Sequence, residues 1–438
     1  MDFTLSEAQT ALATLTGQIL NDRAGTERLR QLDEQVESGG DRFDPQLWDV
    51  LAEAGVLSAA LPRAAGGDGH GLLEQCSVLI ELGRALAAVP YLPTIAMAGS
   101  VLARFGTPQQ QADWLKPALD GQMVLTVALI EPDGGDPRTP STRAEPTATG
   151  WSLSGTKTTI LAGPLAHVIL VSAATPDGPG LFAVTPDDVG VRISRQRMFD
   201  QDDAGWLELA DVQLAGDRLI SADFPPSAAS ADSMMDDGPV AWVLRRGTVA
   251  LCAQQLGVLE RALELTAEYA TTRTQFDRPI GSFQAVGQRL ADAYIQVQAL
   301  RLALWNAAWT LDAASSEAAS SEATSIEDAS IEDAPAENAP PEATSIEAGA
   351  AEGEATDIED FAETVTLQTA ISAVATAKFW AAEAGHYVSH TCVHVHGGAG
   401  IDIEQPVHRY FLAAKRAEFE LGGATAQLLI LGAQLARE

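Results

Sequence analysis

The sequence predicts an α+β fold laid out in three successive blocks: helices, then short strands, then long helices. Apolar residues recur at helical spacing before residue 120 and again after residue 239. The stretch between breaks into short β-rich runs punctuated by Pro, Gly and Asp. A low-complexity segment then interrupts the second helical block. At 438 residues, 46% hydrophobic and 20% charged, the chain can fill two or three domains around a large core.

Residues 1–120 read as an N-terminal helical domain, in which Leu47, Val50, Leu51 and Ala54 fall on one helix face, as do Leu79, Leu82 and Leu86. Pro62 with Gly66, Gly67, Gly69 and Gly71 marks a loop, and Gly106-Thr-Pro108 a turn between helices with a cap. Residues 121–238 read as a middle antiparallel β domain, with strands near Val124–Ile130, Trp151–Leu153, Val168–Ser172, Leu181–Thr185 and Val191–Ile193. Residues 239–438 read as a C-terminal four-helix bundle, with helices over 240–270, 282–311, 361–390 and 406–437.

The insert at about 313–360 holds 14 acidic residues and no Lys or Arg, with Ser-Ile-Glu repeating from Ser325, Ser330 and Ser345. So little apolar area cannot offset the entropy of ordering it, so this segment is expected to be disordered. The net charge of −33 argues against nucleic acid as a partner. No apolar run reaches the length of a membrane span, and the N-terminus lacks the basic-then-apolar order of a secretory signal. Cys76, Cys252 and Cys392 are odd in number and far apart, which suits a reducing cytoplasm.

Two segments carry chemistry. The first is Arg273-Thr-Gln-Phe-Asp-Arg-Pro-Ile-Gly-Ser-Phe-Gln284, the second Val395-His-Gly-Gly-Ala-Gly400. An arginine fork suits phosphate oxygens, and paired glycines let a backbone approach a ligand closely. Together they resemble the flavin-contacting motifs of the acyl-CoA dehydrogenase family. The resemblance covers nearly the whole chain outside the insert and implies that family's helical–β–helical fold. It also implies FAD, an acyl-CoA substrate, α,β-dehydrogenation to an enoyl-CoA, and an electron-transfer flavoprotein as electron acceptor. In the family each FAD lies across a subunit interface. Arg273, Gln275, Phe276, Gln284, His394, Gly397 and Gly398 match positions that one subunit lends to its neighbour's FAD.

The positions that receive FAD and substrate depart from the pattern. The loop Ile130-Glu-Pro-Asp-Gly-Gly-Asp136 lacks the family's serine. Thr159 stands for a Trp against the flavin ring and Leu161 for a Thr. Leucine offers no hydrogen bond to the flavin. Both family positions for the catalytic glutamate carry glycine, Gly422 and Gly247, so no catalytic residue is assigned. Lending positions kept and receiving positions lost resemble the base-lacking subunit of actinobacterial heterotetrameric acyl-CoA dehydrogenases. That resemblance implies a base-bearing paralogue in an α2β2 assembly. The alternatives are a self-sufficient enzyme with a relocated base, Glu420 first, with Glu418 nearby and Glu131 a weaker candidate, or a non-catalytic structural paralogue. His386, His390 and His394 fall at helical i, i+4, i+8 spacing near Cys392 and His396, but no acidic or thiolate partner shares the spacing and no metal site is assigned. The Gly66–Gly71 run lacks the order and lysine of a phosphate loop.

Overall fold

The computed structural model of the chain describes residues 4–220, 238–331 and 366–436. The first block holds α1 (Glu7–Arg23), α2 (Thr26–Glu37), α3 (Pro45–Glu53), α4 (Leu72–Arg84), α5 (Ser100–Phe105), α6 (Pro108–Gln110) and α7 (Lys116–Leu119), with a π-helical stretch at Leu92–Gly99. Local chemistry starts these helices where it can. The Ser6 hydroxyl accepts from the Gln9 amide at 3.1 Å while Gln9 Oε1 accepts from the Ser6 amide, a capping box that opens α1. Asp44 caps α3 and is itself held by both arms of Arg28, at 2.7 and 2.9 Å.

The strands are β1 (Leu125–Ala128), β2 (Arg143–Pro146), β3 (Gly150–Leu161), β4 (Val168–Thr175), β5 (Gly178–Val184), β6 (Val191–Arg197) and β7 (Asp203–Ala215). Among the described residues they form a seven-stranded sheet in the order β1-β4-β2-β3-β7-β6, with β5 on β4. The sheet is mixed rather than antiparallel throughout. β1 runs parallel to β4, because the long excursion through β2 and β3 brings the chain back in its original direction. Strand β3 bulges between Lys157 and Ile160, which leaves Thr159 at φ +49°.

The second helical block holds α8 (Pro239–Thr272), a hairpin of β8 (Thr274–Gln275) and β9 (Arg278–Pro279), α9 (Gln284–Ile331), α10 (Leu367–His396), α11 (Val407–Phe419) and α12 (Ala424–Leu435). The expected fourth helix is therefore two, and the four-helix bundle gains a fifth member. Leu421 at φ +54° and Gly422 at φ +91° break the path between them. Helix α9 also runs past Ala313 to Ile331, consistent with the high helix propensity of Ala and Glu. The rest of the acidic segment, 332–360, lies outside the described residues.

One apolar core spans both helical blocks, from Trp48 and Tyr91 through α8 to α10 and α11, while the sheet keeps its own around Phe182, Val171 and Leu207. Helices α4 and α8 touch backbone to backbone. A side chain at Gly83 or Gly257 would collide with the carbonyl of Gln254 or Ile80.

A buried ion pair sets the sheet's inner edge. The Lys157 ammonium donates to Glu131 Oε1 at 2.8 Å and to Ser172 Oγ at 2.9 Å. Glu131 also accepts from the amides and hydroxyls of Ser141 and Thr142, so one carboxylate pins both ends of the 131–142 loop. Burial alone would raise the Glu131 pKa, but these bonds, led by Lys157, hold it far below the carboxylate range. Burial pulls the Lys157 pKa down even as Glu131 pushes it up. Lys157→Met is expected to destabilise the fold by about 3–5 kcal/mol, because it strands a buried carboxylate. A thermal midpoint unchanged by Lys157→Met would contradict this.

Candidate functional site

The seven motif residues come together at one exposed corner of the second helical block. Arg273 ends α8, and the chain then turns through β8 and β9. Phe276 at φ +52° and Asp277 at φ +62° form the two-residue hairpin loop, a conformation costly for a bulky side chain. The Phe276 ring is 87% exposed at this tip, edge-on to Phe283 at 6.2 Å, and Arg278 lies 4.2 Å over Phe283. Gln284 opens α9. Among the described residues, the side chains of Arg273, Gln275 and Gln284 enter no intrachain hydrogen bond and face solvent.

The end of α10 completes the corner. The Tyr269 ring, one turn before Arg273, stacks on His396 at 4.3 Å, and Arg289 of α9 lies 3.1 Å from His394 Nδ1. Gly397 follows at φ +61°, ψ −135°, a geometry that favours glycine. A Cβ at Gly397 or Gly398 would meet no atom of the chain within 4 Å, so the backbone there is open to a ligand. Cationic and amide donors beside bare glycine backbone are a donor set suited to phosphate, so the corner fits a dinucleotide cofactor.

The second feature is a cavity of about 1340 Å³ between the sheet, α8, α11 and α12, bordered by Met97, Leu161, Leu244, Phe419, Leu421 and Gly422. Two backbone groups on its wall are taken up internally. Gln196 Oε1 accepts the Thr159 amide at 3.0 Å, and the Thr126 hydroxyl donates to the Leu161 carbonyl at 2.6 Å. Gly247 is pressed against Met97, whose Cε lies 2.8 Å from where a Cβ would stand. Gly422 holds φ +91°, and its carbonyl accepts from Gln427 at 3.2 Å. The backbone at Gly422 disfavours a glutamate, and a side chain at Gly247 would have to displace the end of Met97.

The remaining candidate bases are held by neighbours. Glu420 ends α11 with Oε2 3.4 Å from Arg416 Nε, and the same guanidinium meets Asp200 at 3.0 Å and also Asp202. Burial first, then crowding by Asp200 and Asp202, raises the Glu420 pKa against the pull of Arg416. Glu418 bonds Lys415 at 2.5 Å and approaches His386 at 3.4 Å. Glu131, with its five donors, cannot work as a base and is removed from the candidates. His386 and His390 lie ring to ring at 4.6 Å, but His386 meets Lys415, His394 faces Arg289, and His396 bonds the Cys392 carbonyl. Among the described residues no group of three or more His, Cys, Asp or Glu is placed to hold a metal. No local sequence signal marks Arg416, Gln196, Arg289 or Met97, each of which acts through a distant element.

A helical–β–helical chain with an apolar cavity at the domain junction and a phosphate-suited corner has the architecture of flavin-dependent oxidoreductases that act on acyl thioesters. The chain belongs to the acyl-CoA dehydrogenase family. The family's N-terminal domain matches residues 8–122 and its C-terminal domain residues 239–326 and 356–436. It is 42% identical to the acyl-CoA dehydrogenase FadE27 of Mycobacterium tuberculosis over 438 residues, 100% of this chain and 99% of that one. FadE28 of the same organism is 26% identical over 387 residues, covering 88% and 91%. Among solved structures it resembles a chain of the ChsE4-ChsE5 complex from Mycobacterium tuberculosis, with TM-score 0.80 and 41% identity, covering 100% of both. It also resembles a chain of a Tcur3481-Tcur3483 steroid ACAD variant, with TM-score 0.76 and 37% identity, covering 99% of both. Butyryl-CoA dehydrogenase of Megasphaera elsdenii, 22% identical at TM-score 0.75 and covering 100% of both chains, shares the fold.

The raised Glu420 pKa has a stability consequence. At about pH 4 the group is protonated folded or unfolded. As pH rises from its unfolded towards its folded pKa, the unfolded state gives up the proton that the folded state still holds, so stability falls, and at higher pH the folded state carries a poorly solvated charge. Glu420→Gln is therefore expected to raise the thermal midpoint at about pH 8 and leave it nearly unchanged at about pH 4. A loss of stability at the higher pH would show that Arg416 needs this carboxylate ionised.

Proposed function

We propose that this chain is the cofactor-completing subunit of a flavin-dependent acyl-CoA dehydrogenase, and that a base-bearing paralogue performs the α,β-dehydrogenation in an α2β2 assembly. The observation that carries the reading is an asymmetry. The exposed corner around Arg273 and Gly397 keeps donors and open backbone, while the chain's own cavity has glycine at both base positions and the backbone groups of Thr159 and Leu161 already paired. Bound across the interface, FAD supplies the hydride acceptor. Arg273 would neutralise its pyrophosphate, Gln275, Gln284 and His394 would donate to it, and Gly397 and Gly398 would let it approach the backbone. Phe276 would seat its ring against the partner. A carboxylate of the partner would take the substrate's α-proton, and the product would be an enoyl-CoA.

Assembly draws support from apolar side chains left exposed on the second helical block, among them Ile295 and Trp309 on α9, Ile401 and Ile403 after α10, and Leu429 on α12. The ChsE4-ChsE5 and Tcur3481-Tcur3483 relatives are named as pairs, and the latter as a steroid enzyme, which favours a bulky, steroid-bearing acyl-CoA. An electron-transfer flavoprotein is the proposed acceptor. No described helix is long and apolar enough to cross a membrane, and the three cysteines are buried and free, in keeping with a cytoplasmic location.

The chain should be purified alone and with its base-bearing paralogue, then assayed for flavin content and for turnover of steroid-bearing and straight-chain acyl-CoA. The pair is expected to hold FAD and turn over, and the chain alone to do neither. In the pair, Arg273→Ala should weaken FAD binding by about 10- to 100-fold, the scale of a charge-assisted hydrogen bond. Glu420→Gln should leave turnover unchanged. Stoichiometric FAD and full turnover from this chain alone, abolished by Glu420→Gln, would instead establish the self-sufficient reading.

A further inference from the structure

The contact between Arg289 and His394 fixes more than a position. Arg289 stands on the second turn of α9 and His394 on the last turn of α10, both exposed, with guanidinium Nη1 3.1 Å from imidazole Nδ1. A guanidinium has donors only and keeps its charge at any ordinary pH. The contact is therefore a hydrogen bond only if Nδ1 accepts. A neutral imidazole that accepts at Nδ1 carries its proton on Nε2. Among the described residues Nε2 has no hydrogen-bond partner. The ring thus offers an N–H donor to whatever occupies the corner beside Gly397 and Gly398, whose outer faces are open. The other tautomer would set two donors against each other at 3.1 Å and turn a lone pair outward.

We infer that Arg289 is a positioning residue. It holds His394 in the Nε2–H tautomer, so that the imidazole donates to an oxygen of the dinucleotide where an amide side chain would donate. Arg289 acts through the ring and does not touch the cofactor. This rests on the proposal above that the corner completes an FAD site. It adds a device that proposal lacks: the cation at Nδ1 excludes the tautomer that would turn a lone pair toward the ligand.

The test uses the assembled complex, stripped of flavin and titrated with FAD by flavin fluorescence. Arg289→Ala is expected to weaken binding by about 3- to 10-fold, the range for one hydrogen bond between an uncharged donor and its acceptor. His394→Gln, which donates without a tautomer, should lower FAD affinity less than His394→Ala does. In the His394→Gln background, Arg289→Ala should have no further effect. Both residues are exposed, so the variants are expected to fold. Nitrogen NMR of histidine-labelled complex should show His394 with its proton on Nε2, and a tautomer mixture in Arg289→Ala. An equal loss from Arg289→Ala in both backgrounds would mean that arginine meets FAD directly and would overturn the inference. So would a proton found on Nδ1 in the wild type. If Arg273→Ala and His394→Ala both leave FAD affinity unchanged, the corner does not hold the cofactor, and the functional reading itself falls.

Discussion

The Arg416 guanidinium and the carboxylates around it constrain the second half of this molecule. Arg416 reaches from α11 to Asp200 and Asp202 in the loop before β7, and backward to Glu420 at the end of its own helix. Sheet and helices are tied there. Lys378, fully buried on α10, donates to the Ala417 and Glu418 carbonyls, the last acceptors α11 has to satisfy. With the helix stopped at that point, Leu421 and Gly422 turn left-handed over the cavity and α12 starts in a new direction. One guanidinium already faces three carboxylates, and burial raises the pKa of Asp200 as well as that of Glu420. A further acid at Gly422, two residues on, would enter a neighbourhood already short of positive charge. Electrostatics and backbone geometry thus agree on glycine there.

That constraint separates the chain's two cofactor-related surfaces. In the cavity, the Thr159 amide meets Gln196, the Leu161 carbonyl meets Thr126, and Glu420 lies against Arg416. At the corner the reverse holds, with arginine and amide side chains left outward and a phenylalanine ring displayed on a strained turn. A buried polar group without a partner is costly, so a site that has lost its ligand tends to close on itself. A strained, exposed apolar tip persists more readily where something outside the chain covers it.

Order of blocks and the turn that carries Arg273 to Gln284 were legible in the sequence because both rest on local signals. Helical spacing, strand punctuation and the Arg273–Gln284 run each lie within a few turns of chain, and the glycines that break α11 from α12 stand in plain view at Gly422 and Gly423. Reading 406–437 as one helix missed them because the apolar period continues across the break into Leu428 and Leu429. The parallel pairing of β1 with β4 depends on where β2 and β3 take the chain, which local alternation does not encode. Glu131 looked like a spare carboxylate because its partners, Ser141, Thr142 and Lys157, are 10, 11 and 26 residues away. Arg289 and His394 lie 105 residues apart, and only the fold brings them together.

The same asymmetry bears on self-association. On the proposed reading, two copies of this chain joined as a symmetric pair would each present a donor corner to a cavity that has no base and whose Thr159 and Leu161 backbone groups are already paired. The corner's cation and amides would then be desolvated against groups that cannot return hydrogen bonds, a cost that apolar contact elsewhere in the interface would have to offset. A partner of the same fold with unspent receiving groups removes that penalty while burying the same apolar helices. Preference for a non-identical partner therefore needs no special recognition element. On the proposed reading it follows from the difference between a corner that still offers hydrogen bonds and a cavity that lacks a base, and specificity of that kind is set by what the wrong pairing leaves unsatisfied.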